Sequence, residues 1–161
     1  MLNNIMTEGE CSKLRSLIHH ANNIVLCCHV SPDGDAIGSV LGMAEVLKCM
    51  GKEPVMVVPD QFPDYLQWLP NTEKIVRYDK RSDYVDMVLK IADLVICLDF
   101  NALSRTDDME AALEACTAPR VLIDHHLNPS IACQVCVSHP NMSSASELVF
   151  RVAWQLGLFE Q

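Results

Sequence analysis

Residues 24–40 read IVLCCHVSPDGDAIGSV. Ile24–Cys28 is an unbroken apolar run of strand length and composition. Pro32 and Gly34 then turn the chain into a loop, and AIGSVLGMAEVLKCM follows as a helix of apolar, helix-favouring residues closed by Gly51 in C-cap position. A strand thus passes through one short loop into a helix. That loop holds His29, Asp33 and Asp35 together, and two carboxylates a residue apart repel each other unless positive charge sits between them.

The same alternation recurs on either side. Upstream, Thr7 and Glu10 have capping-box spacing, and SKLRSLIHHA reads as a first amphipathic helix with His19 and His20 solvated or facing the dipole at its end. Downstream, EPVMVVP, KIVRY, DLVICLD, PRVLIDHH and IACQVCVS read as strands, and FPDYLQWLP as a helical turn or loop. Helices are expected in SDYVDMVLKIA, DDMEAALEAC and SSASELVFRVAWQLG. The strands are mostly solid apolar runs, the pattern of a parallel sheet buried on both faces. The sequence therefore predicts an α/β fold: one doubly wound domain over residues 1–161, with a mainly parallel sheet and helices on both faces.

Composition narrows the function. A chain of 161 residues, 50% hydrophobic and 20% charged, is long enough to bury one sizeable core. The formal charge is −9 with no basic run, so the electrostatic footprint of a protein that grips a long nucleic acid is missing. No segment has the length of a membrane span or the pattern of a signal peptide, which predicts a cytoplasmic protein. The eight cysteines sit mostly inside apolar strand and helix patterns and read as buried reduced thiols. Cys133 and Cys136 form one C-x-x-C, but within a strand they would point to opposite faces, and no second pair accompanies them.

In such sheets ligands bind beyond the carboxyl ends of the strands. Three strand ends carry the chemistry: IVLCCH ends in His29 and leads to Asp33 and Asp35, LVICLD ends in Asp99, and VLID ends in Asp124 before His125 and His126. Carboxylate and imidazole donors without thiolates suit Mn²⁺, Mg²⁺ or Fe²⁺ better than structural zinc. The donors outnumber the needs of one ion. A pair of divalent cations about 3.5–4 Å apart, sharing a central carboxylate, accounts for them, activates water and neutralises a phosphate. Each residue also has a plainer reading: Asp33 with Gly34 as a turn, Asp35 as a helix cap, a lone strand-end histidine as a satisfied polar tip.

Assembled, HVSPDGDAIGS, VICLDF and LIDHH resemble the three leading motifs of the DHH phosphoesterase superfamily, and SSASELVF at 143–150 resembles its nano-RNase branch, which also acts on 3′-phosphoadenosine 5′-phosphate. The resemblance implies a Mn²⁺-dependent phosphohydrolase of short oligoribonucleotides or nucleotide phosphates. It implies that His29 and Asp33 bind one metal, that Asp35 and His125 bind the other, and that Asp99 bridges them. Asp124 would orient neighbouring groups, and His126 would donate a hydrogen bond near the scissile phosphate. Gly38 and Ser39 fit the family's tight helix start. Arg105 falls where family members often carry an arginine, either for phosphate or for a surface ion pair.

The family's fourth motif and its C-terminal DHHA1 domain have no counterpart in these residues, so the chain resembles the N-terminal domain alone, with self-association through an uncovered face as an expectation. Pyrophosphate, polyphosphate or cyclic dinucleotide hydrolysis fits the same motifs, and a non-catalytic metal- or nucleotide-binding regulatory module is the rival from another class. A plain Rossmann-like nucleotide domain does not fit, because the first loop lacks G-x-G-x-x-G.

Overall fold

Each strand that the apolar runs predict is present, and their pairing places the loops that matter on one edge. The computed structural model describes residues 2–159. Strands β1 (Ile24–Cys27), β2 (Val55–Val58), β3 (Val76–Arg77), β4 (Leu94–Leu98), β5 (Arg120–Asp124) and β6 (Val135–Ser138) form one sheet in the order β3-β2-β1-β4-β5-β6. All five pairings are parallel. From β1 the chain winds outward through β2 to β3; from β4 it winds the other way through β5 to β6. The crevice between β1 and β4 is thus the topological switch point of a doubly wound sheet.

Helices α1 (Glu8–His20), α2 (Gly34–Cys49) and α5 (Ala145–Gln155) cover one face, burying Leu14, Ile37 and Leu148 with Leu26, Ile96 and Ile123. Helices α3 (Ser82–Ile91) and α4 (Glu110–Ala115) cover the other, where Val85 and Leu113 pack with Val25, Val95 and Leu122. With apolar layers on both sides, β1 and β4 are buried at every position, which explains their unbroken apolar sequences. The edge strand β6 is half covered: Val135 and Val137 are buried and Cys136 is exposed.

Local signals act as their chemistry requires. Thr7 caps α1 in a full capping box, a contribution of about 1 kcal/mol. Gly51 takes a left-handed φ of 80° where α2 ends. The FPDYLQWLP segment contains a short 3₁₀ turn at Asp64–Leu66. All eight cysteines are free thiols. The strand-based expectation for the C-x-x-C is corrected: β6 begins at Val135, so Cys133 lies outside it. Burial and then the neighbouring Cys136 thiol push the Cys133 thiol up to about 12. No described helix is long and apolar enough to cross a membrane.

Candidate metal centre

The carboxyl ends of β1, β4 and β5 bring the predicted aspartates and histidines together. Asp99 follows β4 in a left-handed conformation, φ 62°, with its N–H donating to the Ile123 carbonyl at 3.0 Å. This bend turns its side chain into the crevice, where it is 2% exposed. His29 Nε2 lies 3.3 Å from Asp99 Oδ2 and 3.7 Å from Asp33 Oδ1. On the other side His125 Nε2 lies 3.3 Å from Asp99 Oδ1 and 3.5 Å from Asp35 Oδ2. Asp99 therefore stands between two imidazoles, each with a second carboxylate beyond it.

Each donor is held by its own local structure. His29 Nδ1 donates to the Val30 carbonyl at 2.7 Å, which leaves Nε2 facing the carboxylates. Val30 N–H in turn donates to the Arg105 carbonyl at 2.7 Å, and Ser31 N–H donates to Asp60 Oδ1 at 2.6 Å. Asp33, not Asp35, caps α2, accepting from Ala36 N–H at 2.9 Å. Asp35, in the first turn, accepts from Ala145 N–H at 3.0 Å and Ser146 N–H at 2.8 Å at the start of α5. Those α5 contacts were not foreseen from sequence. The hydroxyl-rich SSASE segment was the only signal, and it reads equally as the cap that Ser144 does provide.

Asp124 is fully buried and accepts from His126 twice: its N–H at 2.9 Å and its ring Nδ1 at 2.7 Å. A carboxylate at that distance selects the Nδ1–H form, which leaves Nε2 of the exposed His126 outside the bond to Asp124. Atoms of His29, Asp33 and Asp99 lie within 4.8 Å of one another, as do atoms of Asp99, His125 and His126. Since His126 Nδ1 is taken by Asp124, Asp35 is the better third partner on the His125 side. Arg105 approaches the site through its backbone, while its side chain is exposed and forms no ion pair among the described residues. Gly38 and Ser39 back the Asp35 turn: Ser39 is buried with Oγ 3.3 Å from Ser146 Oγ.

The electrostatics are those of a site short of positive charge. Burial pushes the Asp99 carboxyl up, and Asp35 and Asp33 add to this against the opposing pull of His29. The Asp99 carboxylate, opposed by burial, holds His29 above its ordinary value. For Asp35, burial works upward, but the Ser146 and Ala145 N–H groups and His125 outweigh it and keep the carboxyl below its usual range. Asp99 Oδ1 is fully buried and accepts no hydrogen bond. An orphaned carboxylate oxygen costs about 1–3 kcal/mol unless something positive occupies the space before it. A hard divalent cation fits this donor set on each side of Asp99.

Comparison with known proteins identifies the family and the fold. The model of the DHH family, N-terminal domain, matches residues 23–161. The bifunctional oligoribonuclease and PAP phosphatase NrnA of Thermus thermophilus is 33% identical over 129 residues, 78% of this chain and 35% of that protein. A solved structure of an exopolyphosphatase-related protein from Bacteroides fragilis superposes with TM-score 0.95 at 40% identity, covering 99% of this chain and 47% of the other. The exonuclease RecJ of Thermus thermophilus, solved in complex with Mn²⁺, shares the fold at TM-score 0.55 and 13% identity, over 96% of this chain and 22% of its own. The chain thus spans less than half the length of these relatives. By its motifs, its sheet and the family match over nearly all of its length, the chain belongs to the DHH family.

Proposed function

We propose that this domain is the metal-binding half of a phosphohydrolase that acts on short oligoribonucleotides or 3′,5′-bisphosphonucleotides. The observation that carries the reading is Asp99: a buried carboxylate with an orphaned oxygen, flanked by two imidazoles that each have a second carboxylate beyond them. His29 and Asp33 would hold one divalent cation, Asp35 and His125 a second, and Asp99 would be shared. Mn²⁺ is the expected ion, and Mg²⁺ fits the oxygen donors as well. When bound, such ions lower the pKa of water and offset charge on phosphoryl oxygens.

The remaining groups act on their own account. Asp124 fixes the His126 ring, so that Nε2 gives or takes a proton and, as imidazolium, donates to an anionic phosphoryl oxygen. His29 keeps its proton at Nδ1 through the Val30 carbonyl and presents Nε2 as a ligand. Arg105, exposed and bonded through its carbonyl to the loop of His29, would meet a second phosphate.

Inorganic polyphosphate is the competing substrate, favoured by the exopolyphosphatase-related description of the Bacteroides fragilis neighbour. One assay addresses both: product release from a ribodinucleotide, from 3′-phosphoadenosine 5′-phosphate and from polyphosphate, with Mn²⁺ and then with chelator. The reading predicts Mn²⁺-dependent turnover of the nucleotides, lost by about 100-fold or more in Asp99→Ala. Full activity in Asp99→Ala, or turnover that survives chelation, overturns it.

A further inference from the structure

We infer that Tyr65 and Trp68 form a stacking platform for a nucleobase of the substrate. The inference rests on the phosphohydrolase reading and narrows it to substrates that carry a base.

The first observation is where exposed apolar surface lies. Among the described residues, the large apolar side chains with the highest exposure are Trp68 at 78%, Leu127 at 72% and Tyr65 at 71%; the others do not exceed 55%. All three belong to segments that adjoin the candidate metal centre. Leu127 follows His126 directly, and its carbonyl is held by Asn101 Nδ2 at 2.8 Å. Tyr65 and Trp68 belong to the connection that leaves the carboxyl end of β2, beside β1. Scattered exposed apolar residues are ordinary, but these three lie in segments that reach the candidate site, through the chain at Leu127 and through Leu66 against Gly34.

The second observation is how that connection is built. Asp64–Leu66 is a 3₁₀ turn continued by Gln67, in which side chains three residues apart stand nearly one above the other. Leu66 and Leu69 take the inward side: Leu66 is buried and Leu69 packs on the core. Tyr65 and Trp68, which flank Leu66 and Gln67 in the same connection, are both exposed. The turn is seated against the start of α2, where Leu66 Cδ2 comes within 3.9 Å of the place a Cβ on Gly34 would occupy. Gly34 lies between Asp33 and Asp35, so the aromatic pair is anchored to the loop that carries the candidate ligands. Thr72 Oγ1 donates to the Gln67 carbonyl and the Leu69 carbonyl, both at 3.1 Å, which fixes the far end of the turn.

The third is chemical fit. The site offers carboxylates and imidazoles for metal and phosphate, while among the described residues Arg105 is the one guanidinium-bearing residue identified beside its loops, and the chain carries a net −9. Affinity for an oligonucleotide cannot come from a basic groove here. Aromatic faces bind bases without charge and with little regard to sequence. A dinucleotide with its phosphate at the metals and a base over Tyr65 and Trp68 uses both halves of the surface. Inorganic polyphosphate has no group for the aromatic half.

The test is tryptophan fluorescence of the whole chain, with affinities measured in parallel by isothermal titration calorimetry, titrated with the dinucleotide ApA and, separately, with inorganic pyrophosphate, in Mn²⁺ and in chelator. Trp68→Phe identifies its signal against Trp154, and Trp68→Ala and Tyr65→Ala remove the platform. The inference predicts quenching by the dinucleotide but not by pyrophosphate, and dinucleotide affinity about 5- to 100-fold weaker in each alanine variant with Trp68→Phe near the parent. Pyrophosphate affinity should be the same in all of them. Equal dinucleotide affinity in parent and alanine variants overturns the inference, as does a loss shared with pyrophosphate. A change in sedimentation behaviour without a change in dinucleotide binding also overturns it, and assigns the pair to protein contact instead. Asp99→Ala keeps the two readings apart: loss of Mn²⁺ dependence in that variant reports on the metal site, and loss of dinucleotide affinity by calorimetry in Trp68→Ala and Tyr65→Ala, with pyrophosphate affinity kept, reports on the platform.

Discussion

On the proposed metal-centre reading, Asp99 is a residue that trades stability for binding. Its left-handed φ is a conformation that Asp and Asn tolerate better than most residues, so the backbone accepts Asn there. Its carboxyl pKa is raised, first by burial, so the folded metal-free domain binds that proton more tightly than the unfolded chain. The associated penalty is absent at low pH and present once pH rises through the raised value. His29 acts in the same sense. Held above 6.5 chiefly by Asp99, it contributes stability that is complete below 6.5 and lost as pH climbs through its folded value. Metal-free protein should therefore melt lower at pH 8 than at pH 6. Asp99→Asn should remove most of that difference and, by relieving a cost of about 1 kcal/mol, melt about 2–4 °C higher at pH 8. Thermal unfolding in chelator, followed by circular dichroism, checks both; an Asp99→Asn variant that melts lower at pH 8 contradicts this account. The sequence identified Asp99 by its place after an apolar run. Its left-handed turn and orphaned oxygen were not legible, because both depend on β5 lying alongside.

At the scale of elements, α2 and α5 set the position of Asp35. A Cβ on Gly38 would fall 3.0 Å from Ser146 Oγ, so a side chain there requires the start of α5 to give by a few tenths of an ångström. That approach brings the Ala145 and Ser146 N–H groups onto Asp35. At Gly42 the corresponding Cβ would lie 3.5 Å from Val149 Cγ1, an ordinary contact. Gly38→Val is predicted to displace α5, cost about 1–3 kcal/mol and weaken Mn²⁺ binding. Gly42→Ala is predicted to be neutral or to stabilise by up to about 1 kcal/mol, with Mn²⁺ binding unchanged. Urea unfolding and metal titration of the pair decide the matter, and equal effects at the two glycines would refute it. The elements themselves were readable because their signals are local: the Thr7 capping box, the apolar runs of β1 and β4, the Gly51 stop. The Asp33 cap was not, since Asp33 and Asp35 satisfy the same local rule and only α5 distinguishes them. Cys133 was misplaced for a related reason, because the start of β6 is fixed by pairing with β5 and not by its own apolar residues.

At the scale of the whole molecule, the reversal between β1 and β4 gathers three loops that lie far apart in sequence. The motifs at 29–35, 99 and 124–126 belong to one site only because β1, β4 and β5 are neighbours in the sheet. Alternation of strands and helices made the doubly wound class legible. The order of the strands is what turns separate motifs into a single cluster, and it follows from right-handed parallel crossovers rather than from any one segment. The cluster gathers several carboxylates within a chain of net charge −9, so its natural complement is cationic. The most direct test of the central claim is calorimetric titration of the whole chain with Mn²⁺, beside Asp99→Asn. The account predicts about two ions bound per chain at the parent site, as expected of a pair sharing one carboxylate, and loss of that binding in the variant. No binding by the parent, or binding that Asp99→Asn leaves unchanged, would contradict it.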